Sequence, residues 1–379
     1  MTTPRNIASS SLALPSARGR VFDGYAFDAA VAALSAWFFG GLFLDGWAHT
    51  HGRVDSSFFT PWHAVLYSGH LAVFLLLLAA LAVNRARGLS WYDALPSGYG
   101  LSLLGAVLWI PSGIGDLLWH TLFGIEVSVE ALFSPTHLML AFSGALVVSG
   151  PLRAAWRRSA AEHSSFLRQL PAPSGPQAGR GTAAAPRPDG AAPSRPDGMQ
   201  QAVSQLPMLL SLAYTLSALT FFTQEANPIA VVPAAARPFT APTIIMELSV
   251  IGMLWTAALL MGAVLLLLTR TKPVPGALTL IFLINAAAMG VLNDHYPLAH
   301  IAAFALAGLV ADALIWTLKP SIARPAALRV FAFAVPACLY LFYFAASWWT
   351  GGLWWSVHVW TGVVFLAGLT SLLLTCLLL

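Results

Sequence analysis

Charge is what this chain has least of. Its 379 residues include only 19 Lys and Arg and 15 Asp and Glu, so 9% are charged. A water-facing surface for a chain of this length needs far more, which excludes a soluble globular protein. Cysteine is nearly absent too. Cys338 and Cys376 lie in separate apolar runs, which excludes a CxxC motif, a disulfide framework, iron–sulfur clusters and other thiolate sites. The eight methionines form no M-x-x-M cluster of the kind a Cu(I) carrier favours. Walker A, G-x-G-x-x-G, G-x-S-x-G and H-E-x-x-H are all missing. So is the H-x2-H-H box of the di-iron desaturases and hydroxylases, whose boxes lie on the cytoplasmic side; the H-x4-H spacing from His295 to His300 falls at the outer helix ends instead.

What remains is apolar. Hydrophobic residues make up 58% of the chain, and its mean hydropathy is +0.74. The apolar runs have the roughly 20-residue length that crosses about 30 Å of hydrocarbon. Spans are expected near 26–48, 61–83, 97–120, 131–152, 205–223, 242–269, 274–293, 297–318, 328–348 and 354–378. The first run has no clean small-x-small exit and is read as a membrane helix, not a cleaved leader. Trp47, Trp62, Trp91, Trp119, Trp348, Trp349, Trp354 and Trp355 fall at run ends, as an interfacial aromatic belt requires. The sequence therefore predicts an all-α polytopic integral membrane helix bundle of about ten transmembrane helices.

With the N-terminus in the cytoplasm, every basic residue but Arg53 and Arg237 falls inside. That orientation also places the C-terminus inside and fits a bacterial inner or plasma membrane. It accounts for the pI of 9.3 without invoking nucleic acid. Four regions are expected: a cytoplasmic tail at 1–25, a four-helix membrane half at 26–157, a linker at 158–203 and a six-helix membrane half at 204–379. The linker is rich in Ala, Pro, Gly and Arg and repeats Arg-Pro-Asp-Gly from Arg187 and Arg195.

The four-helix half contains a duplication. Asp45, His49 and Thr50 precede Thr60, Pro61 and His63; Asp116, His120 and Thr121 precede Ser134, Pro135 and His137. Each copy reads D-x3-H-T, a linker, then [S/T]-P-x-H. The Asp and first His are i,i+4 and share a helix face. Thr60 and Ser134 suit N-caps, with Pro61 and Pro135 at the first helical position. Such a hairpin points one Asp and two His into one space.

Of ten histidines only His163 falls inside. His49, His51, His63, His120, His137, His295, His300 and His358 fall at the outer helix ends, with Asp294 at the same level. His70 is two turns deeper than His63. Ionisable groups in membrane helices are costly and usually serve a site. A lone outer His is more often an interfacial residue, at odds of about four to one, and a Thr-Pro or Ser-Pro is an ordinary helix start. Duplication shifts that balance. The expected metal ligands are His49, His63, His120 and His137, with Asp45 and Asp116 as ligands or as orienting partners. His295, His300 and His358 join the same layer with less support. Glu126, Glu130, Glu225 and Glu247 lie at the same level, and Asp312 is either an ion group or a helix–helix hydrogen bond.

Imidazole with carboxylate and no thiolate suits copper, iron, manganese or zinc. Haem ranks lower, because the histidines occupy one shallow layer instead of stacking by depth. The D-x3-H-x13-H of Asp45, His49 and His63 resembles, over 19 residues, the intramembrane D-x3-H-x12-H metal site in the C subunit of particulate methane and ammonia monooxygenases. That resemblance implies a copper site and oxidation of a small apolar molecule. The expectation is a membrane metalloprotein with its site near the outer face, most simply a copper- or iron-dependent oxidoreductase. Its partners would be the bilayer, a small apolar substrate and an electron-donor protein. A metal or small-solute transporter is the second reading. The two hairpins run parallel, unlike an inverted repeat, and few polar residues line an inner path. A metal or pH sensor or assembly factor is the third. The oligomeric state, the metal and the substrate are not specified by the sequence.

Overall fold

A computed structural model describes residues 19–53, 57–124, 132–169, 198–235 and 240–379, with the backbone alone at 162–169 and 198. The Arg-Pro-Asp-Gly repeat up to Asp197, Arg237, Glu126 and Glu130 lie outside the described residues, as does the side chain of His163. The described chain is all-helical. Its helices are α1 (Gly24–Thr50), α2 (Pro61–Ala86), α3 (Gly100–Phe123), α4 (Pro135–Val148), α5 (Gly150–Gln169), α6 (Gly198–Phe221), α7 (Pro242–Arg270), α8 (Ala277–Val291), α9 (Leu298–Leu318), α10 (Pro325–Thr350) and α11 (Val357–Leu374). It forms a polytopic helical membrane bundle.

Eight of these helices are long and apolar enough to cross a membrane. The pair α4 and α5 makes a ninth passage, bent by 43° where they meet. Pro151 explains the break. It has no N–H for the Val147 carbonyl, so that helical bond cannot form. Ser102 Oγ donates to Leu146 O and Val147 O at 3.1 and 3.2 Å instead. Arg153 adds Nη2 donation to Leu146 O at 2.9 Å and Nε donation to Gly98 O at 3.0 Å. Helix α8, with 15 residues, is the remaining apolar passage. At 1.5 Å per residue it spans only about 22 Å, short of the hydrocarbon thickness. The expected ten is reached only by counting both the bent pair and this short helix.

Small residues set the spacing within the hairpins. A Cβ on Gly41 would come within 2.5 Å of Leu66 Cα, and one on Gly69 within 2.6 Å of Phe38 Cα, so α1 and α2 touch backbone to backbone. In the second hairpin a Cβ on Gly105 would meet Ser143 O at 2.6 Å. Lipid supplies no hydrophobic drive between helices, so close backbone packing of this kind holds them together. Helix α6 packs on both α1 and α8, linking the first hairpin to the later helices. Asp312 on α9 accepts from the Leu278 and Thr279 backbone N–H groups at 3.1 and 3.0 Å, and from Thr279 Oγ1 at 2.7 Å. It caps the start of α8, which is the hydrogen-bonding alternative for that residue.

The helices alternate in direction, so α1 and α3 end at the same end of the bundle, and α2 and α4 begin there. The duplicated hairpins are parallel copies.

Candidate metal centre

The last two turns of α1 present Asp45 and His49 on one face. After the connection, Thr60 Oγ1 accepts the His63 backbone N–H at 3.1 Å and fixes that residue in the first turn of α2. His63 Nε2 then lies 3.4 Å from Asp45 Oδ1, and His49 Nε2 lies 3.9 Å from Asp45 Oδ2. The second copy repeats the construction. Ser134 Oγ accepts the His137 backbone N–H at 3.2 Å. His137 Nε2 is 3.3 Å and His120 Nε2 3.7 Å from Asp116 Oδ1. In each trio the candidate ligand atoms lie within 4.8 Å of one another.

The other ring nitrogens are held. His63 Nδ1 lies 2.5 Å from Phe58 O and His120 Nδ1 3.2 Å from Gly124 O. A carbonyl only accepts, so in both rings Nδ1 carries the proton and a neutral ring keeps its lone pair on Nε2. His137 Nδ1 is 2.7 Å from Ser134 Oγ. In those of His63 and His120 the Nε2 lone pair therefore faces a carboxylate oxygen, and two acceptors do not attract. Either the ring is protonated or a cation lies between them. Among the described residues, Asp45 and Asp116 pair with no Lys or Arg. Asp45 Oδ1 and His120 Nε2 are buried without a hydrogen-bond partner there.

The spacing fits a shared ion. Donors each about 2.1 Å from one metal stand about 3.0 to 3.4 Å apart at octahedral to tetrahedral angles. The 3.3 and 3.4 Å pairs already do so, the 3.7 and 3.9 Å pairs are wider by a few tenths of an ångström, and no ligand atom of a trio lies more than 4.8 Å from another. Anchored Nδ1, free Nε2 and an adjacent carboxylate are how proteins orient metal-binding histidines. The two trios differ in exposure. The Asp45 side chain is 14% exposed and that of Asp116 3%.

Both trios line one cavity of about 140 Å³. The Phe58 ring bridges them, 4.7 Å from His63 and 6.1 Å from His120. Away from the trios the wall is mostly apolar, built by Phe38 and Leu42 of α1, Leu140 and Val148 of α4, and Phe221 of α6.

The remaining histidines do not join either trio. His51 stacks on Trp47 and lies 3.6 Å from Asp294. His295 is exposed, its backbone N–H bonded to Asn293 Oδ1 at 2.9 Å. His300 is buried with Nε2 2.9 Å from Ser347 Oγ, because its face of α9 packs on α10. His358 is exposed in the first turn of α11. A common depth placed them in one expected layer, but His51 and His295 sit in turns outside the helices, His300 faces α10, and His358 is exposed. His70 is buried against Trp109, the rings stacked 5.0 Å apart. Glu225 lines the cavity, and Glu247 is exposed.

Three residues around the trios were not anticipated: Tyr67 and Trp109 in the cavity lining, and Phe58 beside His63. A signal for two of them exists. Tyr67 is four residues after His63 and so on its face. Trp109 and Phe38 each stand seven residues before their Asp, and their rings meet at 4.8 Å.

No protein-family model matches this chain, and neither does any curated protein or solved structure. Its membrane-spanning helices and its His/Asp trios fit a membrane metal-binding protein.

Proposed function

We propose that this chain is a membrane metalloprotein that holds one transition-metal ion in each trio and acts as a copper- or iron-dependent oxidoreductase. The carrying observation is the facing of imidazole Nε2 and carboxylate oxygens in both trios, with no Lys or Arg among the described residues to balance the buried Asp116. Two imidazoles and one carboxylate leave coordination positions open, the pattern of catalytic rather than structural sites. When bound, such an ion supplies electron transfer and a Lewis-acidic position at the mouth of the cavity. The chain does the rest. Asp45 and Asp116 supply charge, the anchored Nδ1 atoms of His63, His120 and His137 fix ring orientation, and the apolar wall lowers the polarity of the space below the ligands. A mostly apolar wall suits a substrate that enters from the bilayer. Electrons would come from a donor protein at the same end of the bundle.

Orientation belongs to the same proposal. Arg20, Arg85, Arg87, Arg158, Arg270, Lys272, Lys319 and Arg329 crowd the end opposite the trios, whereas Arg53 stands at the trio end. Positive charge favours the cytoplasm, so the trios face the outside of a bacterial plasma membrane.

The test is metal content of the purified full-length chain after reconstitution, read with its absorption and spin-resonance spectra. About one copper or iron per trio, with a signal lost on reduction or oxidation, is expected. Less than about a tenth of an equivalent of any transition metal would overturn the metal reading. Zinc alone would overturn the redox part.

A further inference from the structure

Tyr67 and Trp109 place two hydrogen-bond donors in the wall of an otherwise apolar cavity. Tyr67 Oη and Trp109 Nε1 are both buried without a hydrogen-bond partner among the described residues. Trp109 is 4% exposed. Their rings are neighbours, with centroids 6.0 Å apart. A buried hydroxyl or indole N–H left unpaired costs about 1–3 kcal/mol, a cost that persists only where something offsets it. Neither is explained by packing alone. Tyr67 stands where the second hairpin has Ala141, four residues after its histidine, and phenylalanine would fill that space without a polar atom. A Cβ on Gly113 would come within 2.9 Å of Tyr67 Cε1 and 3.0 Å of its Oη, so the helix opposite is trimmed to make room for this ring as a whole.

The donors lie beneath the two trios, and the volume limits what they can meet. A cavity of about 150 Å³ admits a benzene-sized molecule, close to the 140 Å³ here. The cavity lining holds no Lys or Arg to pair with an anion, and the Asp45 and Asp116 carboxylates that would draw a cation already face the trio imidazoles. We infer that the cavity takes a small, uncharged, mostly apolar molecule carrying one hydrogen-bond-accepting oxygen, which Tyr67 and Trp109 hold below the trios. This names the substrate class of the proposed oxidoreductase and rests on that reading only for what happens next to the molecule, not for its binding. Selectivity follows from the asymmetry of such sites. A molecule lacking the oxygen leaves both donors unpaired, so it is rejected more strongly than its loss of one contact implies.

The test compares cyclohexanone with methylenecyclohexane, which differ in C=O against C=CH2 and little in shape. Binding to the full-length chain in nanodiscs is read by saturation-transfer NMR against empty nanodiscs, with the protein stripped of metal and loaded with copper or iron. The ketone should bind about tenfold more tightly in both states. Tyr67→Phe should reduce that preference to about threefold or less while leaving hydrocarbon affinity unchanged, and Trp109→Phe should reduce it independently. Equal binding of the two probes by the unaltered protein would overturn the inference, whatever the variants do. So would a preference seen only with metal and indifferent to Tyr67→Phe, since the ion would then hold the oxygen; in that case the metal reading stands. A Tyr67-dependent preference in a protein that binds no metal sustains the inference and removes the metal reading.

Discussion

Asp116 sets the logic of the site at the scale of single residues. Its side chain is 3% exposed, and two imidazole Nε2 atoms face its Oδ1. Burying a carboxylate is expensive unless something positive lies beside it. Thr136 Oγ1 donates to it at 3.4 Å, which is too long to offset that cost alone. Asp45 is more exposed and meets the same demand with help from solvent. The two trios should therefore fail separately. Asp116→Ala or His120→Ala should remove one ion per chain and leave the ion at Asp45, His49 and His63 in place. Metal analysis of each variant checks this. Loss of both ions from Asp116→Ala, in a variant that still elutes as a folded protein, would show one coupled centre instead of two neighbouring ones.

The helix start is where sequence becomes ligand geometry at the scale of elements. In both copies a hydroxyl caps the helix and accepts the N–H of the third residue on, so the cap positions the histidine it precedes. The two caps are not equivalent. Thr60 holds only the backbone of His63, whose ring is anchored by Phe58 O. Ser134 holds both the backbone and the Nδ1 of His137. Thr60→Ala should therefore cost about 1 kcal/mol of stability with little change in metal affinity. Ser134→Ala should cost similar stability and also weaken metal binding about 10- to 100-fold, since the ring loses its orienting partner. Thermal melts and metal titrations on both variants separate the two effects; equal losses of affinity would show that the hydroxyls act only as caps. This is also where the chain was most legible before folding. The spacing of Asp45, His49 and His63 and its repeat carried the trio directly, because i,i+4 positions and helix first turns have fixed directions. His295, His300 and His358 carried only depth, and depth says nothing about rotation. His300 shows the consequence, spending its Nε2 on Ser347 inside the packing of α9 on α10. Tyr67 and Trp109 were hidden for the opposite reason. Among 22 Phe, 14 Trp and 8 Tyr, two more aromatics at helical spacing read as core.

The two ends of the bundle differ at the scale of the whole molecule. The trio end carries the cavity, the His51–Asp294 contact between the halves and exposed Trp348 and Trp349. The opposite end carries basic side chains set against aromatics and a buried acid. Arg85 lies over Trp91 at 4.5 Å and Arg270 over Trp156 at 5.7 Å. Arg158 pairs with Asp28, which also accepts from Tyr99 Oη at 2.6 Å. Burial and that nearby carboxylate push the Tyr99 phenol well above its usual range, so it stays protonated and donates throughout physiological pH. These contacts pin Arg158 of α5 to α1, and so tie the bent α4–α5 passage to the first hairpin. They also commit the cations of this end to fixed places at a membrane–water boundary, where amphipathic rings and long basic side chains both settle. The concentration of these cations at one end is what predicts the transmembrane orientation. With Cys338 and Cys376 replaced, a single cysteine at Gly52 should react with an impermeant maleimide in intact cells. One at Ser90 or Ser321 should react only after the membrane is opened, because those loops lie at the basic end. Labelling of Ser90→Cys from outside, with Gly52→Cys protected, would turn the bundle over and place the trios and their cavity toward the cytoplasm. The donor of electrons would then have to be sought on that side.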